Sequence, residues 1–128
     1  MNSVERLRVI AVTLWELVRY DLTSAISGFA RVHRNLAEFA TRNPVAAIAQ
    51  DDLLDTVALA ICFYPWRVRC LQRSVATVRV LRRNGVDARA VIGYRTAPFF
   101  SHAWVEVQGR VVGDAAGYQR MMHVLERI

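Results

Sequence analysis

Three residues of this chain carry side chains that can share one reaction: Cys70, His102 and Asp114. A thiol becomes a strong nucleophile once it loses its proton, an imidazole can take that proton, and a carboxylate can hold the imidazole in the orientation the transfer needs. In this order they would supply nucleophile, base and orienter for attack on a carbonyl through an acyl-enzyme. Each also has an ordinary structural use: cysteine as a small core residue, histidine at a strand start as a solvated side chain, aspartate after a strand as a turn residue. Only elements that bring the three together turn the list into chemistry.

The stretch CLQRSVATVRVLRRNG sets Leu71, Val75, Val78 and Leu81 or Arg82 on successive turns and stops at Asn84-Gly85, which predicts a helix that opens on Cys70. The free backbone N–H groups of a first helical turn, with Arg67, Arg69 and Arg73 nearby, favour negative charge on the sulfur. The N–H of Cys70 can also serve as a donor to a tetrahedral oxyanion.

His102 and Asp114 fall in FFSHAWVEVQGRVVGD, residues 99–114, whose alternation and Gln108-Gly109 predict a hairpin. Aspartate is depleted in strands, so ladder stability does not account for it. A two-residue loop at Gln108-Gly109 sets His102 opposite Ala115 and points Asp114 to the other face. A three-residue loop, Val107-Gln108-Gly109, sets His102 directly opposite Asp114, with Trp104 facing Val112 and Glu106 facing Arg110 as an ion pair. The second register is the expectation, because it puts imidazole and carboxylate on one face.

Ahead of this region the periodicity is helical. Residues 4–20 place Val4, Leu7, Ile10 or Ala11, Leu14 and Val18 at steps of three and four. A second helix is expected over 24–40, broken by TRNP at 41–44. A third is expected over 44–62, with Pro44 in its first turn, Asp51 and Asp52 on a solvated face and Cys62 as a small core residue. FYPWRVR then interrupts the pattern, and its Tyr64 and Trp66, with Trp104, are candidates to line a substrate pocket. Beyond the Cys70 helix the period changes to two: Val86, Ala88, Ala90 and Ile92 alternate with Asp87, Arg89 and Val91, and Gly93 begins an exit towards Pro98. The C-terminal GYQRMMHVLERI reads equally as a short strand or a last helical turn.

The class is therefore α+β, a helical N-terminal half followed by the cysteine helix packed on a small antiparallel sheet. At 128 residues one domain is expected, with a helical subdomain over 1–62 and the cysteine helix and sheet over 63–128.

Composition excludes several alternatives. The hydrophobic fraction is 54% and the mean hydropathy +0.19, yet the longest apolar stretch, TVALAICFYPW at 56–66, is far short of the ~20 residues of a membrane span. A cytoplasmic protein is expected. The net charge of +6 comes from arginine alone, scattered along the chain, which speaks for an acidic protein or peptide partner over a nucleic-acid track. No CxxC or HxxxH spacing suggests zinc, and two cysteines in a cytoplasmic chain do not suggest a disulfide.

The stretch CLQRSVATVRVLRRNGVDARAVIGYRTAPFFSHAWVEVQGRVVGD, residues 70–114, resembles the transglutaminase-like leader peptidases of lasso-peptide biosynthesis, which belong with the papain-like cysteine proteases. The likeness lies in the Cys-Leu-x-Arg-Ser opening, the arginine-rich helix end, the IG strand, the PF loop and the HAWVE strand. Two positions depart from it: Tyr94 stands where an aliphatic residue follows IG, and Gly113 where Asn often precedes the aspartate. The resemblance implies a transglutaminase-like core and removal of the leader from a ribosomally made precursor peptide, with Cys70 attacking, His102 moving the proton and Asp114 orienting the ring. No cofactor is implied. A separate ATP-dependent cyclase would then close the ring, and a separate leader-binding protein would present the precursor, since the chain is too short to include such a domain. Two rivals are a transglutaminase-like acyltransferase, in which an amine replaces water, and a non-catalytic scaffold of the same fold.

Overall fold

A computed structural model describes residues 1–44, 47–114 and 117–128, with only the backbone of Tyr118. Four helices precede a four-stranded antiparallel sheet: α1 (Ser3–Ser27), α2 (Phe29–Glu38), α3 (Gln50–Phe63), α4 (Cys70–Arg83), β1 (Ala88–Thr96), β2 (Phe99–Val107), β3 (Arg110–Val112) and β4 (His123–Arg127). The sheet order is β3-β2-β1-β4. No helix among the described residues is long and apolar enough to cross a membrane.

α1 starts at a capping box, in which Asn2 accepts from the Glu5 N–H at 2.8 Å and Glu5 accepts from the Asn2 N–H at 3.2 Å. Such a cap is worth about 1 kcal/mol. The helix runs past the expected end near residue 20, because no proline or glycine interrupts it before Gly28, whose φ of +77° ends it. Its buried face also differs from the expected stripe: Val9, Thr13, Glu16 and Leu17 are buried, whereas Val4 and Leu7 are 77% and 66% exposed. Polar residues can turn inward here because each finds a partner. Thr13 donates to the Val9 carbonyl at 2.7 Å, and Glu16 is held by Arg79 and by Arg83 at 2.8 Å.

α3 begins at Gln50, later than expected, and Pro44 lies outside it. Val45 and Ala46, inside the expected helix, fall outside the described residues. The Pro44 ring instead covers Gly85, where a Cβ would lie 2.8 Å from Pro44 Cδ. Asp51 and Asp52 are exposed in the first turn of α3, where negative charge suits the helix dipole. Cys62 is exposed rather than in the core, because the buried side of α3 is Leu53, Thr56, Val57 and Ala60.

α4 occupies the centre. Its residues from Ser74 to Arg82 are all buried, and Val75, Val78, Val80 and Leu81 join Val9, Leu36, Leu53, Ala88, Ala90 and Val105 in the main core. The helix stops where the sequence says it should, with Gly85 at φ +84° and the Val86 N–H bonded to the Leu81 carbonyl at 3.0 Å. β1 continues through Gly93 to Thr96 rather than leaving at the glycine, which stays in the ladder opposite His102. The C-terminal ambiguity resolves into both forms, a 3-10 turn over Tyr118–Met121 and then β4.

Candidate active site

Cys70 is the first residue of α4. Arg69 before it is extended (φ −88°, ψ 165°) and provides no side-chain cap, so no side chain of the cap residue takes up the first-turn N–H groups. Two hydroxyls one and two turns on are engaged with the helix backbone: Ser74 donates to the Cys70 carbonyl at 2.8 Å and Thr77 to the Arg73 carbonyl at 2.7 Å. Cys70, Arg69, Arg73, Ser74 and Thr77 border a cavity of about 230 Å³ whose other walls are α3, β2 and residues 112–114.

His102 and Asp114 border the same cavity, with His102 Nε2 2.9 Å from Asp114 Oδ2. The three residues picked out from their types thus surround one space. The route by which the hairpin achieves this differs from the expected one. Val107 pairs with Arg110, Glu106 with Val111 and Val105 with Val112, which is the two-residue-loop register. Gln108 (φ +52°) and Gly109 (φ +75°) both take the left-handed conformation that a tight hairpin turn of this length needs. Continued unbroken, that ladder would carry Asp114 to the far face. Gly113, at φ +69°, breaks it directly after Val112 and returns the carboxylate to His102. The register shift also removes the expected Glu106–Arg110 pair: Glu106 meets Arg127 of β4 at 3.2 Å and accepts from the Trp104 indole N–H at 2.9 Å. Trp104 faces Val91 of β1 rather than Val112.

The imidazole of His102 stands in an aromatic row, with the Phe100 and Trp104 rings stacked on either side at centroid distances of 6.0 and 6.4 Å. Trp104 is only 2% exposed. Gly93 makes room for it, since a Cβ there would lie 2.5 Å from Trp104 Cη2. Trp104 therefore borders the cavity with its ring stacked beside the His102 imidazole. The IG pair in the sequence was the signal for this seat, although sequence alone reads the glycine as the end of a strand.

Tyr64 and Trp66 are not among the residues bordering the cavity. Tyr64 caps the end of α3 and donates its phenol to Asp21 Oδ2 of α1, and Trp66 packs edge-on against the Tyr64 ring at 5.4 Å. Burial, reinforced by the bond to Asp21 and its charge, pushes the Tyr64 phenol up to about 12. In α1, burial raises the Tyr20 phenol, with Asp21 and Cys70 adding to the rise and Arg69 opposing it. Sequence reasoning did not single out Leu54 and Val57 of α3, which also wall the cavity.

Comparison with known proteins places this arrangement. Over 59 residues the chain is 46% identical to the microcin J25-processing protein McjB of Escherichia coli, an alignment that takes in 46% of this chain and 28% of that protein. The chain thus spans little more than a quarter of the length of the relative it matches. No solved structure matches. Residues 14–126, nearly the whole chain, match the transglutaminase-like superfamily, and the chain belongs to that superfamily.

Proposed function

We propose that this chain is a cysteine peptidase that removes the leader from a ribosomally synthesised lasso precursor peptide, with Cys70, His102 and Asp114 as its catalytic residues. The observation that carries the reading is the 2.9 Å contact of His102 Nε2 with Asp114 Oδ2 on a cavity that Cys70 shares. The similarity to McjB, a microcin J25-processing protein, supports the choice of a peptide substrate.

With Nε2 directed to Asp114, Nδ1 is the ring nitrogen that takes the thiol proton. The Cys70 sulfur then attacks the scissile carbonyl carbon, and the oxyanion accepts a hydrogen bond from the Cys70 N–H, which at the first helical position has no intrahelical acceptor. On collapse the C–N bond breaks and the imidazolium gives its proton to the leaving amine, freeing the core peptide. Water, losing a proton to His102, attacks the thioester and releases the leader as a carboxylate. No cofactor enters these steps. The reaction belongs in the cytoplasm, where the precursor is made.

The same reading gives the exposed apolar side of α1 a use. Val4, Leu7, Trp15, Leu22 and Ile26 recur at helical spacing and are all exposed. They form the surface on which a separate leader-binding protein docks with its cargo. The ATP-dependent cyclase acts afterwards on the freed amine.

Mass spectrometry of a lasso precursor incubated with the wild type and with Cys70→Ala, with and without the leader-binding protein, tests the assignment. Leader hydrolysis that disappears in Cys70→Ala, with precursor binding retained, is expected; an amide-linked product would instead mean acyl transfer. Asp114→Asn should lower kcat by ~10²- to 10⁴-fold, since it removes the group that sets the imidazole tautomer. Equal cleavage rates with and without the partner would remove the docking role of α1.

A further inference from the structure

β2 has nine residues, but β3 pairs with only its last three, Val105 to Val107. The far side of the sheet fixes where the remaining backbone groups of β2 point. Ala90 of β1 commits both its N–H and its C=O to Ile128, at 3.1 and 2.8 Å. In an antiparallel sheet these groups alternate sides, so Val91 and Gly93 point theirs towards β2. Their partners Trp104 and His102 accordingly point back to β1. Ser101 and Ala103, between and beside them, point N–H and C=O outward. Among the described residues no strand covers that edge, because Gly113 takes the chain out of the ladder after Val112.

The cavity lies along this edge. It is bordered by four consecutive residues of β2, His102 to Val105. Neighbouring strand side chains lie on opposite faces, so a space touching all four follows the rim of the strand. Here the two layers of the site meet: Cys70 comes from α4, which packs on the Ala90 and Val105 face, whereas His102 shares the other face with Trp104. A chain laid along the rim passes beside both thiol and imidazole.

We propose that the substrate peptide binds as an added strand on the outer edge of β2, exchanging backbone hydrogen bonds with Ser101 and Ala103 so that its scissile carbonyl meets Cys70. This rests on the peptide-cleaving reading above and deepens it. Backbone pairing supplies affinity whatever the sequence, and alternate substrate side chains fall towards the Phe100–His102–Trp104 row or towards α3, which is where selectivity arises. β4 is exposed along its whole length, but it is two strands away from β2, about 10 Å. A peptide there would not reach the thiol.

The test uses full-length Cys70→Ala with a synthetic precursor peptide spanning the leader–core junction, in the presence of the leader-binding protein. Amide exchange followed by NMR should slow at least tenfold at Ser101 and Ala103 on binding and stay unchanged at His102 and Trp104, which already bond to β1. N-methylation at successive peptide positions should weaken binding about three- to tenfold at every second residue and leave those between unaffected. Unchanged exchange at Ser101 and Ala103, slowing at Arg127 on the outward side of β4, or a methylation profile without alternation would each overturn the edge pairing. The wild type is assayed in parallel on the unmethylated peptide. Cleavage there combined with any of those results leaves the peptidase reading standing and removes only the edge, whereas no cleavage removes both.

Discussion

A single phenol shows how position in the fold overrides nearness in sequence. Tyr64 stands close before Cys70 in the chain, yet it ends α3 and donates a hydrogen bond to Asp21 of α1, away from the cavity. A phenol held neutral by burial and by a carboxylate acceptor keeps its proton longer in the folded protein than in the unfolded chain. Its folded pKa, about 12, lies above the ordinary tyrosine value of 10.0. The stabilisation is therefore complete below pH ~10 and is lost as pH rises through the folded value. Ultraviolet titration of the tyrosines should show one group ionising near pH 12 in the wild type and absent in Tyr64→Phe. The same substitution should cost about 1.5–3 kcal/mol at neutral pH, the worth of a hydrogen bond to a charged group. A wild-type titration without that late group would show the Asp21 contact to be absent in solution. Cys70, His102 and Asp114 were selected by residue type together with a helix start and a hairpin, whereas Tyr64 and Trp66 were selected by adjacency, and the proline between them turns the chain before it reaches the site.

For the hairpin, one backbone angle decides whether a carboxylate reaches its imidazole. The tight turn at Gln108-Gly109 fixes a register that would carry Asp114 away, and Gly113 at φ +69° reverses that outcome. Among the described residues a Cβ at Gly113 meets nothing closer than Leu54 Cδ2 at 3.7 Å, so the penalty is conformational. Asparagine enters the left-handed region readily, alanine at a cost of ~1–2 kcal/mol, and β-branched residues hardly at all. Gly113→Asn should therefore keep near wild-type cleavage, Gly113→Ala should lose severalfold, and Gly113→Val should lose most activity while the melting temperature falls only slightly. Equal activity across the series would mean that Asp114 reaches His102 without help from this angle. Sequence pattern sufficed for the helix opening at Cys70, for its stop at Gly85 and for the hairpin itself, because these follow from local periodicity and turn chemistry. The register was not legible in the same way. Two loop lengths fit the same letters, and the choice between them depends on whether Gln108 accepts a positive φ, which residue preference does not announce.

Across the whole molecule, one buried arginine joins parts that are distant in sequence. Arg82, near the end of α4, donates to the carbonyls of Leu36 and Phe39 at the end of α2, of Ala88 at the start of β1, and of Ile128 beyond β4, at 2.7 to 3.0 Å. From the sequence it looks like a cation placed to suit a helix dipole, since the four carbonyls come from segments that meet only in the folded state. Burial lowers its guanidinium from the ordinary arginine value, with Asp87 opposing the fall. Its neighbour Arg83 is a natural comparison, a partly exposed side chain paired with Glu16. Arg82→Met keeps the apolar bulk but takes a donor from four inward carbonyls, of which those of Leu36 and Ile128 keep a backbone N–H; it should cost about 3–5 kcal/mol and lower the melting temperature by roughly 10 °C or more. Arg83→Met should cost less, because the buried Glu16 carboxylate it leaves behind keeps its pairing with Arg79. Arg82→Lys should recover only part of the loss, since an ammonium has three donors and no planar fork to span the four acceptors. Because Arg82 lies at the opposite end of α4 from Cys70, Arg82→Met that remains folded at low temperature should cleave at close to the wild-type rate. A variant that is folded yet inactive would mean instead that α4 transmits the state of this junction to the thiol.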